Sequence, residues 1–421
     1  IPAARLRARA VFTNTTPTQA YRSSGRPEVT YAIERLIEQA AREFGFDALE
    51  LRRRNLVRPD QMPYTNAVGT QYDSGEYAAN MDSVLEFADW NGFEARREEA
   101  EARGVLLGRG FANYVESSTG SPREQAEITV KPEGEIEVVI GTQPSGQGHE
   151  TSFAQVVADM LQTPVDIVRI VYGDTDVVSV GGGSHSGRSM RHAGTVIAIA
   201  AAALIAEGRR RAVELFGEAE GSVVFEDGSY HIAGTNHVVD LFELARGSPD
   251  VPLRIVRDNE MHTPVFPNGA AACEVEIDPE TGVVTITRYA TIDDVGRCIN
   301  PLIVDGQTHG AIAQGVGPAL WEQCFIDPES GQPLCGSLMD YGMPRADTLP
   351  SFVTKIVEVL SPTNPLGIKA GGEGGTTPAL AVIINAIVDA LKPFGVSDLP
   401  MPATPYAVWT AIREARAGQS R

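Results

Sequence analysis

The sequence predicts an α+β protein, with mixed sheets and packed helices. Strand-type and helix-type patterns alternate irregularly along the chain, which excludes a doubly wound parallel sheet. Hairpin signals, including Pro279-Glu280-Thr281-Gly282 between two apolar runs, require antiparallel pairs. Near the C-terminus, residues 379–391 are apolar nearly all round, with only Asn385 and Asp389 interrupting them, so this helix is expected to be buried. With 421 residues, 43% hydrophobic and 21% charged, the chain has the composition of an ordinary globular protein with more than one core.

In order, residues 9–13 read as a strand and Asn14-Thr15-Thr16-Pro17 as a turn. A periodic helix over 29–44 places Ile33, Leu36, Ile37 and Ala40 on one face, and a short helix covers 47–55. Residues 58–75, rich in Pro, Tyr, Gly and Asn, are expected as loop. A charged helix over 77–101 ends at Gly104, and the change to apolar strand at Val105 sets the domain boundary, dividing the chain into 1–104 and 105–421. Strands are expected at 106–114, 124–130 and 135–140. A Gly-rich turn then leads to a helix ending at Met160, followed by a buried-type strand at 165–172. A second Gly-rich turn, 181–187, feeds an Ala-rich helix that ends near Phe216. Hairpins follow at 222–232 and 271–292, then a small-residue helix after Asn300-Pro301 and a strand at 353–360.

The formal net charge of −20 opposes binding to nucleic acid or to an anionic membrane surface, because a polyanion repels the protein. The best apolar run, 195–206, is too short to span a bilayer. Cys273, Cys298, Cys324 and Cys335 show no Cys-x-x-Cys spacing, which excludes a local zinc or iron–sulfur site; they read as reduced thiols of a cytoplasmic protein. His149-Glu150 has no second His four residues on, so it is not a zincin helix. The chain opens with Ile rather than Met and shows no signal sequence, so further residues are expected to precede it.

Gly/Ser-rich turns run straight into helix starts at 22–28, 145–152, 181–189 and 371–378. Unpaired N–H groups and the helix dipole make each a cradle for an anion. No Gly-x-x-x-x-Gly-Lys-Ser/Thr occurs and no Gly-x-Gly-x-x-Gly fits a nucleotide fold; His185 stands where a nucleophile elbow would need Ser. A phosphate-bearing cofactor lying across several loops is the surviving inference. Glu373, the one carboxylate in a run of glycines before Pro378, is placed either as a solvated loop residue or to take a proton from something bound there.

These strings together resemble a known family. Ala20-Tyr21-Arg22-Ser23-Ser24-Gly25-Arg26-Pro27-Glu28, the Gly146-Gln147-Gly148-x-x-Thr151 turn, the Gly367-x-Lys369-x-x-Gly372-Glu373 loop with its Asn385-Ala386-x-x-Asp389-Ala390 helix, and the closing Pro402-Ala403-Thr404-Pro405 are similar to the molybdenum-binding subunit of the xanthine oxidase family, the molybdenum hydroxylases. The resemblance covers the C-terminal half of that subunit. It implies that 1–104 ends a first molybdopterin-binding domain completed by another chain carrying the N-terminal half, and that 105–421 forms a second.

The resemblance further implies that Glu373 is the base that deprotonates a Mo-bound hydroxyl as hydride passes to a Mo sulfido ligand. Arg22 would orient substrate and offset developing charge. Gly146, Gln147, Gly148 and Thr151, with Ser184, His185, Ser186, Gly187, Gly371 and Gly372, would hold the molybdenum–molybdopterin, in its cytosine dinucleotide form, with no direct protein ligand to the metal. Ser23 and Ser24 would face the substrate. An aromatic at position 24 is the mark of purine-oxidising members and a copper-bearing Cys at position 23 that of aerobic CO dehydrogenases; Ser at both argues against xanthine and against CO. The implied activity is oxidation of an aromatic N-heterocycle or an aldehyde with water as oxygen source. Electrons would pass to iron–sulfur ([2Fe-2S]) and flavin (FAD) subunits in a dimer of heteromers. A non-catalytic assembly scaffold of such a complex, an aromatic thioester reductase and a CO dehydrogenase-like enzyme are the alternatives.

Overall fold

Each of the two main sheets contains four strands and mixes antiparallel with parallel pairing. The computed structural model describes residues 3–13, 17–217 and 219–419. Helices α1 (Arg26–Phe44) and α2 (Ala48–Asn55), a small hairpin of β1 (Tyr64–Thr65) and β2 (Gln71–Tyr72), and helices α3 (Tyr77–Phe87) and α4 (Phe93–Ala102) come first. Strands β3 (Leu106–Val115), β4 (Arg123–Val130) and β5 (Ile136–Ile140) follow, then α5 (His149–Leu161), β6 (Val168–Val171) and α6 (Gly194–Phe216). Next are β7 (Val223–Glu226), β8 (Ser229–Ile232), β9 (Val238–Asp240), α7 (Leu241–Gly247) and β10 (Leu253–Glu260). The chain closes with β11 (Asn268–Ile277), β12 (Val284–Asp294), α8 (Pro301–Leu320), β13 (Val353–Val357), α9 (Ala379–Ala390) and α10 (Pro405–Gln419).

The first sheet runs β10-β4-β5-β6. Alternation along β4 and β5 turns Ala126, Ile128, Val130, Ile136, Val138 and Ile140 into a core shared with α5 and α6. The second runs β13-β12-β11-β3 and is covered on both faces, which explains why β11 is buried along almost its whole length. On one face lie Met81, Val84 and Ala88 of the α3 segment. On the other lies α9, and two glycines of β3 let it come close: a Cβ at Gly108 would stand 2.1 Å from the Ala386 carbonyl, and one at Gly110 2.0 Å from that of Val382. The two polar residues of α9 are its docking points on this strand. Asn385 donates to the Phe111 carbonyl at 3.2 Å and accepts from Arg35, and Asp389 accepts from the Arg109 N–H at 3.1 Å.

The α+β class with mixed sheets is as the sequence predicts, and most elements fall within a few residues of their expected places. Residues 9–13 differ: they are exposed and belong to no strand. Of the turn expected at 14–17, residues 14–16 lie outside the described residues. The single charged helix breaks into α3 and α4, with Asp89 in the left-handed region at φ 52° and a short 3₁₀ turn at Trp90–Gly92. Arg109 of β3 stacks over both Trp90 and Phe93 there, so contact with the sheet overrides helical continuity. The expected loop 58–75 contains the β1–β2 hairpin. The apolar run at 195–206 is part of a longer helical stretch, Ser189–Phe216, that by length and composition could cross a bilayer, but it packs on β4, β10 and α5 as a core helix. α10 was not expected; its buried anchors, Val408 and Ile412, are only two residues, four apart, too few to mark a periodic face.

Lys369 and Asp294 form an ion pair at 2.6 Å with both side chains 0% exposed. Asp294 also accepts from Asn268 and from the N–H groups of Gly296 and Val359, while Lys369 reaches the Ser74 carbonyl at 3.2 Å. Lys369→Met strands a buried carboxylate and is expected to lower unfolding free energy by about 3–5 kcal/mol in chemical denaturation. A loss below about 1 kcal/mol would show that solvent or another donor replaces the ammonium.

Candidate active site

A cavity of about 440 Å³ opens where the loop after β5, the turn before α6, the segment joining β12 to α8, and the 368–373 loop converge. Its lining includes Arg22, Gly146, Gln147, Ser184, His185, Ser186, Gly187, Gly371, Gly372 and Glu373. Of the four Gly-rich helix starts read from the sequence, the three before α5, α6 and α9 contribute loop residues to one hollow, and Arg22 reaches it from just ahead of α1.

The Glu373 loop is held from several sides. Arg22 donates through Nε to the Gly372 carbonyl at 2.6 Å, and its other nitrogens bond Gln307 and Gln314 of α8. Burial lowers the Arg22 pKa, while the Glu373 carboxylate acts in the opposite direction. Glu373 is 13% exposed, and its Oε2 is buried with no hydrogen-bond partner among the described residues. Arg26 Nη1 lies 3.7 Å from that oxygen. A second carboxylate, Glu116, sits behind it, fully buried just past the end of β3. Nothing in the sequence marks Glu116, because it follows a strand and belongs to no Gly-rich turn.

The other loops are equally constrained. Gly146 has φ 98° and Gly148, the residue before α5, φ 67°, conformations that glycine adopts without strain. Gln147 accepts the Ser145 N–H through Oε1, which leaves its Nε2 as the donor end. The loop 181–187 is stapled by Arg188, whose side chain is 0% exposed. Arg188 donates to the carbonyls of Gly183 (2.6 Å), Ser121 and Arg123 and pairs with Glu124 at 2.9 Å, while a Cβ at Gly182 would stand 2.5 Å from its guanidinium carbon. Within the loop, Ser184 Oγ is buried without a partner among the described residues, and His185 Nδ1 contacts Ser186 Oγ at 3.1 Å. His149, also on the cavity wall, has its pKa lowered to about 4 by burial, so it is neutral near pH 7.

Some expected residues stand elsewhere. Ser23 is completely buried, with its hydroxyl 2.7 Å from that of Thr377, and does not line the cavity. Ser24 is exposed and bonds back to the Tyr21 carbonyl. Thr151 is exposed on the first turn of α5, outside the lining, and Gly148 lies under Ile303 rather than in the open hollow.

A hollow walled by helix starts, with orphaned polar atoms and one carboxylate, defines a site for an anionic cofactor. Two models of a molybdopterin cofactor-binding domain match this chain, over residues 83–350 and 1–56. The chain is 34% identical over 97% of its length to the gamma subunit of the 6-hydroxypseudooxynicotine dehydrogenase complex of Paenarthrobacter nicotinovorans. It is 32% identical over 98% to the carbon monoxide dehydrogenase large chain of Hydrogenophaga pseudoflava. Quinoline 2-oxidoreductase of Pseudomonas putida 86 superposes with a TM-score of 0.87 at 33% identity, over 94% of this chain and 53% of that one. The chain thus belongs to the molybdenum-binding subunits of the xanthine oxidase family. It spans about half the length of these relatives, 53% and 54% of the two sequences.

The residues present fit a molybdopterin. The cavity is large enough for a small cofactor's reactive end, and Ser184 Oγ and Glu373 Oε2, both of residues that line it, have no hydrogen-bond partner among the described residues. A Cβ at Gly146 or Gly372 would meet nothing within 4 Å, so both leave open space beside the backbone. Because Arg188 carries the shape of one wall, Arg188→Lys keeps the charge but loses the fork of donors. The assembled protein should then hold several-fold less pterin, read by pterin and metal analysis of folded material, with faster amide exchange across 182–187. Full occupancy with unchanged exchange would show that the loop keeps its shape without Arg188.

Proposed function

We propose that this chain is the base-bearing part of a molybdenum hydroxylase that oxidises an aromatic N-heterocycle or an aldehyde, with water as the oxygen source. The observation that carries the proposal is Glu373: an orphaned carboxylate oxygen at the wall of a cavity built from three helix starts, on a loop clamped by Arg22. When bound, the molybdopterin supplies the two-electron redox centre. Residues 146–148, 184–187 and 371–372 would border it, with Gln147 Nε2 as a donor toward it. Glu373 takes up a proton during substrate oxidation, and the enclosed position of its carboxylate keeps bulk water from competing for the same oxygen. Arg22 orients the base through the Gly372 carbonyl and adds positive charge at the wall.

The relatives and the absence of a thiol at position 23 support this substrate class. Ser23 offers no thiolate and is turned toward Thr377, which weighs against a copper-assisted oxidation of CO. Relatives named as nicotine 6-hydroxylase and quinoline 2-oxidoreductase favour an N-heterocycle first. We further infer a cytosine dinucleotide form of the pterin, iron–sulfur ([2Fe-2S]) and FAD subunits as electron acceptors, and a further chain or segment carrying the N-terminal half of the subunit. The assembly would be a cytoplasmic dimer of heteromers. Residues 1–104 and 105–421 would then belong to two successive pterin-binding domains.

Glu373→Gln in the assembled enzyme should keep molybdenum and pterin at full stoichiometry while kcat falls by about two orders of magnitude or more, measured by steady-state turnover. Near-wild-type turnover would sink the assignment. A screen of N-heterocycles, aldehydes, purines and CO on the same preparation is expected to show activity confined to the first two classes.

A further inference from the structure

Glu116 is a carboxylate with no visible means of support. Its side chain is 0% exposed and neither oxygen has a hydrogen-bond partner among the described residues. Its backbone is pinned directly after β3, where its N–H donates to the Pro267 carbonyl at 2.7 Å. Glu373 is its carboxylate neighbour, with Oε2 likewise unpartnered. Arg26 lies beside both, 3.9 Å from Glu116 and 3.7 Å from Glu373, while its Nη donors go to the carbonyls of Ser23 and Ser117.

With both glutamates ionised, two negative charges would lie side by side in a largely water-free pocket, next to Arg26 and within electrostatic reach of Arg22 and Asp293. Neither carboxylate could then donate to the other. A single proton on the pair removes the repulsion between the two carboxylates and supplies the missing donor. Glu373 keeps some contact with the cavity and Glu116 keeps none, so the proton belongs on Glu116. We propose that Glu116 is a positioning residue that stays protonated and donates its hydrogen to Glu373, holding the base as an anion aimed into the cavity.

This rests on Glu373 acting as the base. Burial first, and then the adjacent Glu373, push the Glu116 carboxyl well above its ordinary range, with Arg26 pulling the other way and Asp293 adding to the rise. Tyr114 and Arg22 also lie within electrostatic reach of Glu116. Since Glu116 already holds its proton, a proton accepted by Glu373 has no inward acceptor and leaves through the cavity.

The sign of the pH dependence follows. The unfolded chain releases the Glu116 proton near the ordinary value of 4.5, the folded chain only well above it. Stability from this proton is therefore fully present below about 4.5 and is lost as pH rises toward the folded value. The isosteric Glu116→Gln should gain Tm relative to wild type as pH is raised from about 5 to about 8.

Infrared spectra of the assembled protein, with cofactor and after its removal, should show a protonated-carboxyl C=O stretch that disappears in Glu116→Gln and persists in Glu373→Gln. Glu116→Ala should lower kcat by about tenfold or more with little change in KM, and Glu116→Gln, which keeps an N–H donor, should recover most of that loss. Absence of a carboxyl band assignable to position 116, or a Tm difference that does not vary with pH, would overturn the proposal. High turnover in Glu373→Gln with the Glu116 band intact would instead overturn the base assignment alone.

Discussion

The buried pair between Lys369 and Asp294 anchors everything the cavity depends on. It ties the chain four residues before Glu373 to the end of β12, where Asp294 simultaneously receives the N–H groups of Gly296 and Val359. An ion pair this deep is not retained for net stability, since apolar replacements of both partners are often as stable. Its effect is positional. Two loops that could each drift are locked to one strand end, and Glu373 enters the cavity at a defined height.

At its other end the same loop is set by α9. That helix lies closely against β3 because Gly108 and Gly110 remove side chains from the contact, and Asn385 and Asp389 fix its register through Phe111 and Arg109. The second sheet therefore holds the base. The first sheet holds the opposite wall: β5 delivers the loop before α5, and Arg188, paired with Glu124 of β4, shapes the loop before α6. The cavity lies where the loop ends of the two sheets meet, so its geometry depends on both cores being formed.

Much of this was legible beforehand. Glycine-rich turns before helices are written in local sequence, as are the buried character of α9 and the isolation of Glu373 among glycines. Other features had no local signal. Glu116 and Arg188 matter because of partners 257 and 64 positions away or more generally distant in sequence, Glu373 and Glu124 respectively, and no periodicity marks such pairs. Ser23 and Ser24 are adjacent, yet one is buried against Thr377 and the other exposed in its own turn. The left-handed φ values at both residues, 73° and 25°, set those directions, and they come from the tertiary seat of the turn rather than from serine's own preference.

By itself the sequence determined the α+β class, the helix starts, the family strings and the candidate base, because each depends on residues close together in the chain. Only the tertiary structure decided that three of those helix starts share one cavity and that Arg22 clamps the Gly372 carbonyl. It alone placed a second carboxylate behind Glu373. The physical reason is range: turn chemistry and periodicity act over a few residues, whereas charge, burial and hydrogen-bond satisfaction act between whatever groups the packed sheets bring together.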